Sequence, residues 1–201
     1  PEFSVIEDNK IIYSKKITLN SEEKMSDCII FTYLFLEKKF SLDKNLKLLI
    51  VNTGPGSYTA LRVGISFMCG LNISKKTHLI GINCLNLFKS YIEPKYLASS
   101  GIFILSSNNQ QFIYLYNLSR KSYDLNKIDR NNLSIYNKFS PLKIIFTNKN
   151  ISPIEKFLRT DIKIEVLNFK KMVEDNLNKI INLPKEEIIK PIYVSNNNIL
   201  N

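Results

Sequence analysis

The side chains able to do chemistry are few and far apart. His78 is the single histidine of the chain. A metal of the kind held by a pair of histidines needs more than one imidazole, so His78 cannot make such a site alone and is read as structural. Cys28, Cys69 and Cys84 would need a base to act as nucleophiles, and only His78 is on offer. Their number and scatter match neither a disulfide scaffold nor a zinc knuckle, so a reduced, cytoplasmic setting is expected. Asp43, Asp124, Asp129 and Asp161 stand singly near loops or turns, with no spacing that dictates a shared acid–base site. Ser26 and Ser57 have no histidine nearby in sequence to suggest a triad. These residues read as a chain without catalytic machinery.

Glycine is the informative residue type. Of six glycines, four fall between residues 54 and 70. Gly54 and Gly56 flank Pro55 where a strand-like run turns into a helix-like one, a place that can require positive φ or close backbone approach. A helix N-terminus there could cradle a phosphate, but the known phosphate motifs fail. A P-loop needs four residues between its glycines and then Lys-Ser/Thr, and a dinucleotide fingerprint needs a glycine where Thr59 stands. A structural turn is favoured over a phosphate cradle.

The eleven residues Gly54-Pro55-Gly56-Ser57-Tyr58-Thr59-Ala60-Leu61-Arg62-Val63-Gly64 resemble the signature of the TsaB (YeaZ) family, usually Gly-Pro-Gly-Ser-Phe-Thr-Gly-Leu-Arg-Ile-Gly. Tyr58 and Val63 are mild changes, and Ala60 replaces glycine by the next smallest residue. The resemblance extends to the opening hairpin, the Ser26-containing first helix, the strand before the loop and Pro191-Ile192-Tyr193. It implies an α/β, actin-like ATPase (ASKHA, RNase H-like) two-lobed fold. It further implies a non-catalytic subunit for threonylcarbamoyl modification of adenosine 37 in tRNAs that read codons beginning with A. Such a subunit binds the catalytic subunit TsaD through two helices of its N-terminal lobe, and the ATPase TsaE joins the assembly. On this reading the partner interface is Met25, Ile29, Thr32, Ala60, Leu61, Gly64, Ile65 and Met68. Ala60 and Gly64 lie four apart on one helix side, where they let another helix approach. The chain holds no cofactor tightly, ATP or ADP belongs at the TsaD interface, tRNA comes through the complex, and self-pairing is expected when the partner is absent.

Departures from the family pattern also carry expectations. Family members begin with a strand ending in Asp-Thr-Ser; the sequence opens at Pro1 on the hairpin, so the first N-lobe strand is expected to be missing. Met25 stands where a histidine usually precedes the first-helix serine. Ser106-Ser107-Asn108 stands where the second lobe usually has Asp-Ala-Arg, so anion or nucleotide contacts in that lobe are not carried over from the family, while the helix–helix role is.

These residues need elements to position them. Phe3 to Glu7 and Lys10 to Ile17 read as a hairpin turning at Asp8-Asn9. Asn20 and Glu23 predict a capping box for a helix with one face of Met25, Cys28, Ile29, Thr32, Phe35 and Leu36. Ile30, Phe31, Tyr33 and Leu34 fill much of its other side. A helix on a single core needs only one stripe, so the second face implies deep burial or a partner. Leu46 to Val51 reads as a strand covered on both faces, followed by a helix over 58–73, a strand over 78–83 and a short helix over 84–92. Small residues around Ala98 set an expected boundary between an N-terminal lobe, 1–98, and a smaller C-terminal α/β lobe, 99–201, with a loose tail. The second half gives strands at 102–106 and 111–118 turning at Asn108-Asn109, and further strands at 143–147 and 162–167. Helices are expected to start at Ser152-Pro153-Ile154-Glu155 and to span 169–182.

Composition bounds the rest. The chain has 201 residues, 44% hydrophobic and 23% charged, ordinary for a globular protein with a real core. Its longest near-apolar run, Cys28 to Leu36, is far short of the roughly 18 residues a membrane span needs, and no secretory leader pattern opens it. The net charge of +10 points toward polyanions. Only four of the 28 basic residues are arginines, and asparagine occurs 24 times. With lysines in scattered pairs, that pattern favours compositional drift in an AT-rich coding sequence. Two alternatives stay beside the scaffold reading: a basic RNA-binding module and a nucleotide-binding, ATPase-like enzyme.

Overall fold

The computed structural model describes residues 2–17, 23–92, 101–107, 110–117, 122–127, 144–147, 163–194 and 199–200. The chain forms two compact units, Pro1–Cys84 with Asn176–Ile192, and Leu85–Asp175 with Tyr193–Asn201. The single cut expected at residues 98/99 misses the return of 176–192 to the first unit. That return is made by backbone hydrogen bonds between residues far apart in sequence, which no local signal announces.

The first unit opens with strands β1 (Glu2–Glu7) and β2 (Lys10–Lys16), paired antiparallel. Asp8 and Asn9 take φ of 47° and 61°, the two positive values a type I′ hairpin needs and these residues tolerate. Helix α1 runs Met25–Phe40 and stops at Ser41, a left-handed residue whose N–H donates to the Glu37 carbonyl. Lys24 occupies the N-cap without a side-chain cap bond, so the helix starts later than the expected capping box placed it, with Glu23 ahead of it. Asn20 lies outside the described residues. After the single turn α2 (Leu42–Asn45), the chain builds a β–α–β crossover from β3 (Leu48–Gly54), α3 (Tyr58–Lys75) and β4 (His78–Asn83). β3 and β4 pair in parallel.

Among the described residues no ladder joins the hairpin to the β3–β4 pair. They share a core instead. Phe3, Ile29, Tyr33, Leu36, Leu49, Val51, Ile65 and Leu79 are buried together, and Phe67 meets the rings of Phe3 and Tyr33 edge-on at 6.2 and 5.6 Å. The returning segment carries a short helix at Leu177–Ile181. After it, Glu186 N–H donates to the Leu79 carbonyl (2.9 Å) and Ile192 N–H to the Thr53 carbonyl (2.7 Å). The tail thus ties down both parallel strands.

Helix α4 (Cys84–Ile92) begins where the first unit ends. The second unit holds a five-stranded sheet ordered β7-β6-β5-β8-β9, with β5 Gly101–Ser107, β6 Gln110–Asn117, β7 Ser122–Lys127, β8 Ile144–Thr147 and β9 Lys163–Val166. β5, β6 and β7 form an antiparallel meander, and β8 and β9 extend the sheet in parallel from β5. Phe146 is buried against Phe88, edge to face at 5.5 Å. Helix α5 (Phe169–Asp175) follows, then α6, the short helix of the returning segment. A two-residue pair, β10 (Tyr193–Val194) with β11 (Ile199–Leu200), closes the chain.

Sequence and structure differ at two places here. The stretch 169–182 is two helices, because Asn176 caps the second one with its carbonyl accepting from Lys179 and Ile180 N–H. Strand β7, Ser-Tyr-Asp-Leu-Asn-Lys, alternates only at Tyr123 and Leu125, and its Asp, Asn and Lys are residues depleted from strands, so the sequence reads there as a polar passage. The expected turn at Asn108-Asn109 and the helix start at Ser152 lie outside the described residues.

Candidate partner interface

Helix α1 divides its side chains sharply. Met25, Ile29, Thr32, Tyr33 and Leu36 are buried, the i, i+4, i+7, i+8, i+11 series of one face. Turned the other way, Ile30, Phe31, Leu34 and Phe35 are 47, 71, 50 and 43% exposed. Four large apolar residues in one solvent-facing stripe form a contiguous patch of the kind that marks an interaction surface.

Helix α3 beside it is built differently. Leu61, Ile65 and Leu71 point into the core; Tyr58, Thr59, Arg62, Ser66 and Gly70 face solvent, with Ala60, Gly64 and Met68 half-buried between. A side chain started at Gly64 or Gly70 would meet nothing within 4 Å. Neither glycine is required by packing inside the unit. The Arg62 guanidinium donates to the Tyr58 hydroxyl (2.8 Å) and lies over that ring at 5.0 Å, so the helix keeps its arginine folded along its own surface.

Between the two helices runs a groove of about 430 Å³, lined by Ser26, Ile29, Ile30, Arg62, Val63, Ser66 and Phe67. Its floor is apolar and its lips carry two hydroxyls and one cation. At the far end the helices are locked together. Glu37 pairs with Lys75 (2.6 Å) and accepts from the Tyr33 hydroxyl (3.0 Å). The Lys75 hydrogen bond, against some burial and helped by Tyr33, lowers the Glu37 carboxyl from its ordinary value. Burial, then the Glu37 contact, raises the Tyr33 phenol.

The glycine loop sets where α3 starts. Gly54 has φ of +111°, and a Cβ there would come within 2.8 Å of the Ile192 carbonyl oxygen and 2.9 Å of Leu61 Cδ1. Its N–H donates to Asn52 Oδ1 (2.9 Å). Pro55, joined by a cis bond, is buried, and its carbonyl faces the Cys84 thiol at 3.8 Å. Thr53 Oγ1 donates to the Ile82 carbonyl (3.1 Å). Gly56 is less constrained: a Cβ added there would sit at an ordinary 3.8 Å from Leu61. The loop is a packed turn wedged between β3, α3 and the tail, which is the structural reading of its glycines. Burial pushes the Cys84 thiol up to about 12, far from the thiolate a nucleophile requires.

The expected interface residues therefore separate into two groups. Met25, Ile29, Thr32, Leu61 and Ile65 are buried at 8, 5, 7, 8 and 4% exposure and serve the unit's own core. Ala60, Gly64 and Met68 are half-buried, Met68 packing against the core. The correction follows from the phase of α1. Its two apolar faces are visible in sequence, but residue type alone does not say which is inward, and the structure turns Ile30, Phe31 and Leu34 out with Phe35. Of the loop residues, Gly54 and Pro55 are buried, Gly56 and Ser57 half-buried, and Tyr58, Thr59 and Arg62 exposed. His78 sits exposed at the start of β4. Among the described residues no group of three or more His, Cys, Asp or Glu comes together as a metal site, and no helix is long and apolar enough to cross a membrane.

A family model described as "TsaD: tRNA N6-adenosine threonylcarbamoyltransferase" matches residues 29–130, just over half of the chain. The chain belongs to this family. Two solved structures from Pseudomonas aeruginosa share its fold. One, described as an uncharacterized protein with similarity to peptidase YEAZ, superposes with a TM-score of 0.62 at 9% identity, covering 96% of this chain and 94% of that one. The other, described as YeaZ, gives 0.60 at 11% identity, covering 96% and 93%. Among curated proteins no sequence matches. The actin-like α/β class expected from the sequence holds, and so does the TsaB (YeaZ) resemblance carried by residues 54–64.

Proposed function

We propose that the chain is a non-catalytic subunit of the machinery for threonylcarbamoyl modification of adenosine 37 in tRNAs that read codons beginning with A. Its work is to bind and support the catalytic subunit TsaD. The observation that carries this reading is the open face of α1 and α3. Ile30, Phe31 and Leu34 stand exposed beside a helix whose Gly64 and Gly70 leave open space above their backbones. An apolar ridge next to a small-residue helix accepts a matching helix pair by ridge-into-groove packing. A fold relative such as TsaD offers such a pair.

In that assembly ATP or ADP sits at the interface with TsaD and is not held tightly by this chain. The ATPase TsaE joins the complex, tRNA comes to it through the complex, and the setting is the cytoplasm. Without TsaD the same face supports a homodimer. Size exclusion with light scattering, on the protein alone and mixed with TsaD from the same organism, tests the reading. A stable one-to-one or two-to-two complex is expected, and a persistently non-interacting species overturns it. ATP hydrolysis by the isolated chain, lost in Gly56→Trp, would instead favour a nucleotide-binding enzyme.

A further inference from the structure

One surface feature lies outside the groove, at the edge of the exposed α1 stripe, with which it shares only Phe35. Where β2 meets the C-terminal half of α1, three rings gather: Tyr13 lies 6.4 Å from Phe35 and 5.5 Å from Phe40. Two ammonium groups converge on them. Lys15 Nζ stands 4.7 Å over the Phe35 ring, and Lys39 Nζ stands 4.0 Å over Tyr13 and 5.7 Å from Phe35. Phe35 is 43% exposed, and Lys15 faces solvent with Lys39 beside it. Among the described residues neither lysine has a carboxylate partner.

A cation held over a π face is positioned without spending its N–H donors. Lys15 and Lys39 thus keep their donors available and lose less freedom on meeting an anion than unanchored lysines do. A half-exposed ring between two positioned cations is the arrangement that takes a nucleobase by stacking and its flanking phosphates by charge.

We propose that Lys15, Lys39 and Phe35 form a contact site for a single-stranded segment of RNA. The choice of tRNA as that RNA rests on the function proposed above, and the net charge of +10 supplies the long-range attraction. The site would let this subunit grip the substrate directly inside the complex, on a surface separate from the Gly64 stripe.

The test measures binding of an unmodified tRNA transcript by fluorescence anisotropy across about 50–200 mM salt, using the full chain alone and with TsaD. Lys15→Gln/Lys39→Gln is expected to weaken binding and to reduce the log–log salt slope by about 1.4, two single-strand phosphates' worth. Lys15→Arg/Lys39→Arg should keep the slope. Phe35→Leu should weaken binding roughly tenfold with the slope unchanged, as loss of stacking requires. Neither lysine serves the core, so circular dichroism melts should match wild type. An unchanged slope in the glutamine variant overturns the proposal. So does binding to phosphatidylserine vesicles with none to tRNA, which would make the surface a membrane contact. Loss of TsaD association in the same variant also overturns it, because the patch would then belong to that interface. Failure of the wild-type chain to bind TsaD, with the slope effect intact, would remove the proposed function and leave this site standing.

Discussion

Replacing Gly64 by glutamate separates the needs of the fold from the needs of a partner. Gly64 lies in the interior of the 18-residue helix α3, where glycine costs about 0.8–1 kcal/mol relative to alanine and glutamate only a little more than alanine. A new Cβ would touch nothing within 4 Å, so no steric term offsets that gain. The isolated variant should be more stable by about 0.5–1 kcal/mol, which for a chain of this size raises Tm by roughly 1–4 °C. Partner binding should move the other way. A carboxylate under an incoming helix is a buried, unpaired charge worth several kcal/mol, and about 3 kcal/mol alone is roughly a 150-fold loss. The assay pairs a thermal melt of the chain alone with light scattering of the mixture with TsaD. A raised or unchanged Tm with no complex is expected. A Tm lowered by several degrees would mean that Gly64 serves the unit's own packing, and a normal complex would remove this face from the interface; either result refutes the reasoning.

Three further outcomes follow from the same geometry. Gly54→Ala should destabilise the chain by about 1–3 kcal/mol, since it combines a positive φ with backbone overlap, whereas Gly56→Ala should leave Tm nearly unchanged; equal effects in denaturant titrations would contradict the packed-turn account. Ile29→Ser should cost about 2–5 kcal/mol as a core deletion, while Phe31→Ser, with its ring already in water, should leave the melt nearly unchanged and weaken TsaD binding at least roughly tenfold. For the Glu37 cluster the sign is fixed by the shifts. The lowered Glu37 carboxyl stabilises the fold above the unfolded carboxylate value of about 4.3 and that contribution fades as pH falls toward the folded value. The raised Tyr33 phenol does the same below about 10 and its contribution fades as pH rises past it. Because the Glu37–Lys75 pair is partly solvated, Lys75→Met should remove only about 0.2–1 kcal/mol, read as a flatter acid limb in a Tm-against-pH series.

The parts of the fold written in local chemistry are the legible ones. Asp8-Asn9 specifies the hairpin turn because few residue types accept two positive φ values, and the apolar runs of β4 and α4 bound those elements correctly. The glycine-rich loop identifies the start of α3 and the family. What depends on distant partners is not legible. Nothing local in 176–192 announces that Ile192 bonds to Thr53 or that Glu186 bonds to Leu79. Strand β7 has only Tyr123 and Leu125 as a two-residue alternation among strand-disfavouring Asp, Asn and Lys, and it is held by its neighbour β6. The reading of α1 misses in phase: both its faces are apolar, and Tyr33 and Phe35, two aromatic residues two positions apart, exchange places. Tyr33 is drawn inward by Glu37, which gives its hydroxyl an acceptor, and Phe35 is held outward by Tyr13 and Lys15.

The two surface helices make sense together better than separately. Two open glycines, Gly64 and Gly70, weaken α3 by about 1.6–2 kcal/mol relative to alanine, and the unit's own packing draws nothing from the missing side chains. Leaving Phe31, Ile30 and Leu34 in water forgoes the roughly 1.5–3 kcal/mol that each would gain on full burial. The Glu37–Lys75 pair joins α1 to α3, so sliding one helix over the other to close this face would break that ion pair. One ridge needs cover and the neighbouring helix has been kept thin enough to admit it. On the proposed function, a helix pair seated across both would satisfy each deficit with a single packing event, which joins Gly64 and Gly70 to Ile30, Phe31 and Leu34.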